Sequence, residues 1–180
     1  MTVDPRLFRD TVGRFASGVT VIAAGTGSEV HGMTANAFTS LSLDPPMVLA
    51  CLAKRARIGD HVRQAGSFTV NFLRADQIAL SRFFAGAWDL PTRPPFRFIH
   101  EPEGPRLEGA LGTIGCRLER ELDGGDHWVV IGRVESLVQG LEPLHPLVFY
   151  RGTYRELKAA DGPAAPELGE GEGPQLFYDW

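Results

Sequence analysis

The segment from residue 32 to residue 52 carries the side chains best suited to holding a flat, polar ligand. Its first half is uncharged and rich in small side chains and hydroxyls, so backbone N–H and C=O groups can come close to a bound molecule. Asp44-Pro45-Pro46 predicts a corner, because proline cannot donate to a central ladder, and an apolar strand follows at 47–52. The short side chains expected at the ligand are Thr34, Ala35, Asn36 and Ser40. The same residue types also suit a strand and turn with capped hydroxyls.

A basic loop follows that apolar strand directly. Lys54, Arg55 and Arg57 place three cations within four residues, between a strand and the start of a predicted helix. Helix N-termini and charge-assisted hydrogen bonds both favour a phosphate or pyrophosphate group there. A solvated charged loop is the alternative, although Lys54 is one of only two lysines in the chain. We therefore predict a phosphate site at this loop.

The tripeptide Gly-Asp-His occurs twice, at 59–61 and at 125–127. His61 falls on the polar side of a predicted helix, so we interpret it as a surface histidine. His127 instead closes a hairpin turn and begins a strand in which apolar and polar residues alternate. An imidazole there can orient a ligand and donate a hydrogen bond near charge that develops on it during a reaction. A hairpin-edge histidine without a ligand is the alternative for His127.

Hydrophobic periodicity and turn residues predict at least seven strands and two or three short helices. Asp4-Pro5 predicts a capped helix that ends at Gly18. Residues 87–106 are rich in proline and are expected to be irregular, with a functional role or mobility. Antiparallel strands joined by tight turns favour a closed barrel, which removes exposed edges, over a sandwich. The predicted strands are 19–24, the segment from residue 30, 47–52, 67–73, 111–122, 128–138, 147–150 and 153–157; two further helices are predicted at 58–65 and 75–84.

The length of 180 residues predicts one domain, which is followed by a tail. The domain is predicted at residues 1–158, and an acidic Gly/Pro-rich tail at 159–180 carries a charge of −5. The tail is predicted to be disordered as far as residue 176, or alternatively to cap a ligand cleft. No run of about 18 apolar residues exists and no signal-peptide pattern opens the chain, so we expect a cytoplasmic protein. Neither histidines nor cysteines have metal-ligand spacing, so no metal is predicted.

These motifs together resemble the flavin reductase-like family, whose members supply reduced flavin to two-component monooxygenases. The resemblance rests on the 32–52 segment, the second Gly-Asp-His, the strand Phe68-Thr69-Val70-Asn71-Phe72, the helix end at 79–84 and the closing hairpin at 150–155. It runs from about residue 8 to residue 157. The chain departs from the family pattern at Ala56 and Ile58, where a hydroxyl is usual, which shifts expected phosphate contacts onto Lys54, Arg57 and backbone N–H groups.

The resemblance implies a mainly β fold, a six-stranded antiparallel split barrel of Greek-key type with peripheral short helices. It implies an NAD(P)H:flavin oxidoreductase that uses FMN or FAD with NADH or NADPH, and a homodimer with flavin sites near the subunit interface. His127 is implied as the catalytic residue beside nicotinamide and flavin. Further cofactor-binding positions implied by the family are Met33, Cys51, Leu52, Ala53, Phe83 and Tyr154. A flavoprotein that retains its flavin and reduces another acceptor, or a non-catalytic flavin-binding module, are the alternatives.

Overall fold

The computed structural model describes residues 3–140 and 145–157 and builds them mainly from antiparallel strands. The helices are α1 (Pro5–Val12), α2 (Ile58–Ala65) and α3 (Ile78–Phe84), the last preceded by a 3-10 turn at Ala75–Gln77. The strands are β1 (Ser17–Gly18), β2 (Thr20–Ala24), β3 (His31–Ala35), β4 (Phe38–Leu43), β5 (Pro46–Ala53), β6 (Ser67–Phe72), β7 (Phe98–Glu101), β8 (Gly104–Leu107), β9 (Gly112–Gly124), β10 (His127–Gln139), β11 (Val148–Tyr150) and β12 (Thr153–Arg155). The tail at 159–180, and the fate predicted for it, lie outside the described residues.

The central sheet closes on itself through one short connection. Its seven strands follow the order β3-β2-β6-β9-β10-β5-β4, all antiparallel, so β3 and β4 lie at opposite edges. Only Asn36 and Ala37 separate these two strands in the chain, and Cys51 N–H in β5 donates to Ala37 C=O at 2.9 Å. β3 and β4 therefore act as two halves of one interrupted strand. The predicted fold class, a six-stranded antiparallel split barrel with short helices, is confirmed.

The barrel interior is filled by side chains that alternate along its strands. On β5, Val48, Ala50 and Leu52 are buried, whereas the residues between them face the other side. They belong to one core cluster with Phe68 of β6 and with Val130 of the neighbouring strand β10. α2 closes one end of the barrel with buried Ile58 and Val62, and Gly66 ends this helix at a φ of 68°, as its sequence predicts.

A buried asparagine in β6 joins four parts of the domain. The Asn71 amide donates to Val21 C=O and to Thr69 Oγ1, both at 3.0 Å. Its Oδ1 accepts from Leu107 N–H at 2.8 Å and from Thr113 Oγ1 at 3.1 Å. Every hydrogen-bonding direction of this amide is thus used, and β2, β8 and β9 are held to β6 away from solvent.

Two predictions about the elements were wrong. α1 is capped by Asp4, whose Oδ1 accepts from Arg6 and Leu7 N–H, but the helix ends at Gly13 and not at Gly18. None of its residues is buried, so no packing within the chain extends it. The proline-rich segment 87–106 is also not irregular throughout, because β7 pairs with β8 in a hairpin.

In the part of the chain that the structure describes, no helix is long and apolar enough to cross a membrane.

The Asn71 network predicts a large loss of stability on truncation. Asn71→Ala is expected to lower the free energy of unfolding by about 3 kcal/mol, because it leaves buried donors and acceptors without partners. Urea unfolding followed by circular dichroism measures this. Gln64→Ala, which removes an exposed amide on α2, is the control and is expected to change the free energy by less than about 0.5 kcal/mol. Equal losses in both variants would contradict the structural role of Asn71.

Candidate active site

A cleft of about 790 Å³ lies along β3, the end of β5 and the C-terminal end of α3. Residues from the segment after α3 close its far side. The structure therefore brings together residues that are widely separated in sequence. The predicted site residues that line this cleft are Met33, Thr34, Ala35, Asn36, Cys51, Ala53, Phe83 and His127.

The floor of the cleft is held by hydrogen bonds from behind. Thr34 Oγ1 donates to Ser81 C=O in α3 at 2.7 Å, and Thr20 Oγ1 donates to Ala35 C=O at 2.7 Å. At Gly32 a Cβ would lie 2.8 Å from the ring of Phe84, so this position admits only glycine without a shift of that ring. The floor is consequently a fixed strand of short side chains that lets a flat ligand approach the backbone.

His127 is oriented by the hairpin that precedes it. The Asp126 carboxylate accepts a hydrogen bond from Nδ1 at 2.7 Å, and this bond holds the pKa of Asp126 below its usual range. The hairpin is tied to the loop after β5 because Lys54 N–H donates to Asp126 C=O at 3.0 Å. With Nδ1 engaged, Nε2 is the ring atom left for a ligand.

Four phenylalanines form an aromatic wall opposite the floor: Phe83, Phe84, Phe96 and Phe98. Their neighbouring ring centroids lie between 4.9 and 5.9 Å apart. The Arg93 guanidinium lies 5.6 Å from the centroid of Phe96. Of this wall only Phe83 was predicted as a site residue. The pair of phenylalanines inside the proline-rich segment could have indicated Phe96 and Phe98, and Phe84 follows Phe83 at the end of α3.

In the basic loop, Lys54 forms an ion pair with a carboxylate, whereas Arg55 faces the cleft. Lys54 Nζ pairs with Asp123 at 2.5 Å and lies 4.4 Å from the ring centroid of Trp128, and its hydrogen bond lowers the pKa of Asp123. Arg55 lines the cleft, and no ion pair to it is found within residues 3–140 and 145–157. Among the described residues, the cleft lining contains arginines and histidines but no aspartate or glutamate, which favours an anionic ligand.

Five predicted residues do not line the cleft, and their roles remain predictions. Leu52 is fully buried in the core, and Ser40 is exposed on β4. Tyr154 lies behind the floor, with its hydroxyl 2.9 Å from Ser81 Oγ. Lys54 pairs with Asp123 as described above, and Arg57 is exposed at the start of α2.

His31 and His61, the second interpreted from its sequence as a surface histidine, meet at the edge of the cleft. His31, the first residue of β3, lines the cleft, and its ring stacks on that of His61 from α2. Burial, then the charges of His61 and Arg57, lower the pKa of His31. Thirty residues separate the two histidines in sequence, so only the packing of α2 against β3 brings them together.

The cleft has the donor set that a flavin requires. Its short-chained floor fits a flat ring system, Met33 and the aromatic wall offer apolar surface, and backbone groups with His127 offer hydrogen bonds. The cationic rim suits phosphate oxygens. No group of three or more side chains able to hold a metal ion exists among the described residues.

Comparison with known proteins decides the family. The flavin reductase like domain matches residues 12–158, which is most of the chain. The chain belongs to the flavin reductase-like family. The predicted family and enzyme class, a flavin reductase, are thereby confirmed.

Relatives cover nearly all of the domain. An NADH-dependent flavin reductase from Rhodococcus sp is 43% identical over 87% of this chain and 88% of its own length. The reductase component of a 4-hydroxyphenylacetate 3-monooxygenase from Thermus thermophilus is 45% identical over 83% of this chain and 95% of its own. The solved structure of the flavin reductase PheA2 superposes with a TM-score of 0.81 at 38% identity, covering 87% of this chain and all of that one.

Proposed function

We propose that this family member uses NADH to reduce FMN or FAD and delivers the reduced flavin to a separate monooxygenase. The observation that carries the proposal is the cleft itself, where the β3 floor, His127 and the aromatic wall converge and where residues 3–140 and 145–157 place no carboxylate in the lining. Relatives named as an NADH-dependent flavin reductase and as a monooxygenase reductase component support the donor and the type of partner.

The residues of the cleft would act by positioning. Hydride transfer from nicotinamide to flavin is the chemistry that the bound cofactors supply. Met33, Thr34, Ala35 and Asn36 would support the ring system from below, and His127 would hold the nicotinamide through Nε2 while Asp126 fixes its ring. Such alignment lowers the barrier by removing translational and rotational freedom before the transfer. The aromatic wall would exclude water from the reacting faces.

The phosphate groups would bind on the basic side of the cleft. Arg55 lines that side, and Lys54 and Arg57 belong to the same loop. For Lys54 to reach a phosphate it must leave Asp123, so the basic loop exchanges one anionic partner for another.

We infer that the protein is a homodimer. α1 buries none of its residues, and Leu7, Phe8, Val12 and Phe15 are 54–81% exposed. With β5, β11 and neighbouring segments, α1 borders an apolar groove of about 970 Å³. An apolar surface of this kind is typical of a protein interface. Asn36, Ala37 and Cys51 line both this groove and the cleft, so a second subunit in the groove would adjoin the flavin site.

A cytoplasmic location is part of the same proposal. Both cysteines, Cys51 and Cys116, are free thiols, which suits a reducing compartment.

The first test is NADH oxidation at 340 nm by the purified full chain with FMN, FAD or no added flavin. Turnover that depends on added flavin is expected, since the cleft is open and the reduced flavin must leave. Flavin that stays bound through gel filtration, with turnover of another acceptor, would support the flavin-retaining alternative. No turnover with either flavin, with NADPH also tried, would contradict the proposal and favour a non-catalytic flavin-binding module.

The role of His127 predicts a selective kinetic defect. His127→Ala is expected to lower kcat/KM for NADH by about tenfold, the effect of losing one positioned hydrogen bond. The flavin Kd is expected to stay within about twofold, and His127→Gln should recover part of the activity. The matched control is His100→Gln, because His100 is an exposed residue of β7. If His127→Ala matched the parent enzyme, His127 would be an ordinary hairpin residue.

If two chains associate through the apolar groove, a charged side chain placed in the groove should separate them and halve the molar mass in solution. Phe8→Glu is expected to shift the protein from two chains to one at micromolar concentration, because a carboxylate in an apolar interface lacks a partner. Light scattering coupled to gel filtration measures the mass. The control is Gln64→Glu, on the exposed side of α2, which should keep the molar mass of a dimer. A parent protein of one chain would overturn the inference.

A further inference from the structure

The stacked histidines occupy one edge of the cleft. The ring centroids of His31 and His61 are 5.1 Å apart, and the ring planes are inclined by 12°. His31 belongs to the strand that forms the floor, and it lines the cleft, as do Arg55 and Ala56 of the loop after β5. Since His61 lies on α2, which directly follows the basic loop, the pair adjoins that loop.

The charged groups that lower the pKa of His31 are both positive when protonated. They are His61 and Arg57, both on the α2 side. β2, which pairs with β3 there, contributes Ala24, and α3 contributes the ring of Phe84 against the neighbouring Gly32.

The acidic residues closest in sequence are held elsewhere or point to solvent. Asp60, beside His61, pairs with Arg63 at 2.5 Å, and Glu29 is exposed. Within residues 3–140 and 145–157, no ion pair joins a carboxylate to His31, His61 or Arg57. A bound anion would thus be the first negative partner of this cluster among the described groups.

We propose that His31, which lines the cleft, forms a phosphate subsite at its edge together with His61 and Arg57, which lie next to His31 outside the lining, and that an imidazole takes up a proton when a phosphate group binds. The inference rests on the proposed function, because it assigns this subsite to a phosphorylated cofactor. Two sources share the chemistry, the phosphate of the flavin and the pyrophosphate of the dinucleotide. In this subsite the imidazoles of His31 and His61, when protonated, donate hydrogen bonds in addition to those of the Arg57 guanidinium.

The pH dependence follows from the geometry. In the free cleft, burial and the two neighbouring charges disfavour the protonated form of His31, so its pKa lies below the usual 6.5. A phosphate within hydrogen-bonding distance favours that protonated form and raises the pKa again. Preference for a phosphorylated ligand is therefore strongest at low pH and is lost as the pH rises through the pKa of the bound state.

The first arm of the test measures the imidazoles directly in the full chain by NMR. The side-chain resonances are titrated between pH 5 and 9 with and without inorganic phosphate, using chloride at equal ionic strength as the reference. The apparent pKa of His31 is expected to rise by at least about half a unit with phosphate, and the resonances of exposed His100 serve as the control. Equal titration curves with and without phosphate would overturn the proposal.

The second arm compares ligands with and without the phosphate. FMN and riboflavin affinities are measured by flavin fluorescence at pH 6.5 and 8.5, where the FMN phosphate is mostly dianionic because its second pKa is about 6. The preference for FMN is expected to fall about threefold across this range in the parent and in His100→Gln, the change that a pKa rise of about half a unit or more at one imidazole produces. In the double variant His31→Gln/His61→Gln, the preference for FMN over riboflavin should not change with pH. Riboflavin should still bind to this variant, which would show that the cleft is folded.

A third comparison identifies which cofactor carries the phosphate. If the FMN preference does not depend on pH but the KM for NADH does, and the double variant removes that dependence, the subsite holds the dinucleotide. If neither depends on the two histidines, the proposal is wrong although the reductase function stands. If phosphate shifts both imidazoles but NADH is never oxidised, the subsite stands and the proposed function fails.

Discussion

The rest of the structure depends on the passage of the chain between the two edges of its sheet. Asn36 and Ala37 carry the backbone from β3 to β4, and this crossing closes the barrel. The same crossing leaves a gap in the strand pairing, where main-chain groups and short side chains face outward. The cleft is therefore a consequence of how the sheet closes, and its floor is as fixed as the barrel itself. Hydrogen bonds from Thr20 and Thr34 keep it in place.

Charge placement complements that constraint. Carboxylates near the site are already engaged: Asp123 with Lys54, Asp126 with His127, and Asp60 with Arg63. The cleft lining then presents a positive edge on one side and phenylalanines on the other. A ligand with an aromatic ring system and a negatively charged extension matches both halves, which is the common design of flavins and nicotinamide dinucleotides.

Local patterns predicted most of the fold. Alternation in 67–73 predicted β6, the Gly66 cap predicted the end of α2, and Gly124-Gly125 predicted the β9–β10 hairpin. These signals depend on residues close in sequence, so they can be recognised without tertiary information. The end of α1 could not be predicted, because its apolar face finds no partner within the described chain.

Residues that line the cleft from contiguous segments were predicted, although their roles remain predictions, whereas contacts between distant elements were not. The small, hydroxyl-rich strand indicated the floor and the hairpin indicated His127, each together with the resemblance to the family. The contact of Lys54 with Asp123, the stacking of His31 on His61 and the aromatic wall all join residues from different elements. The register and packing of the closed barrel decide these contacts, and periodicity carries no information about them.

The strip formed by Asn36, Ala37 and Cys51 belongs to two surfaces at once, the cleft and the apolar groove. A molecule bound on either surface restrains the same backbone atoms. Thermodynamic linkage then makes the effect mutual: whatever occupancy of the cleft contributes to association at the groove, association contributes equally to occupancy of the cleft. If the proposed dimer forms at the groove and the coupling is favourable, cofactor affinity becomes a function of protein concentration, so a reductase diluted far below the dissociation constant of the dimer would also release its flavin more readily.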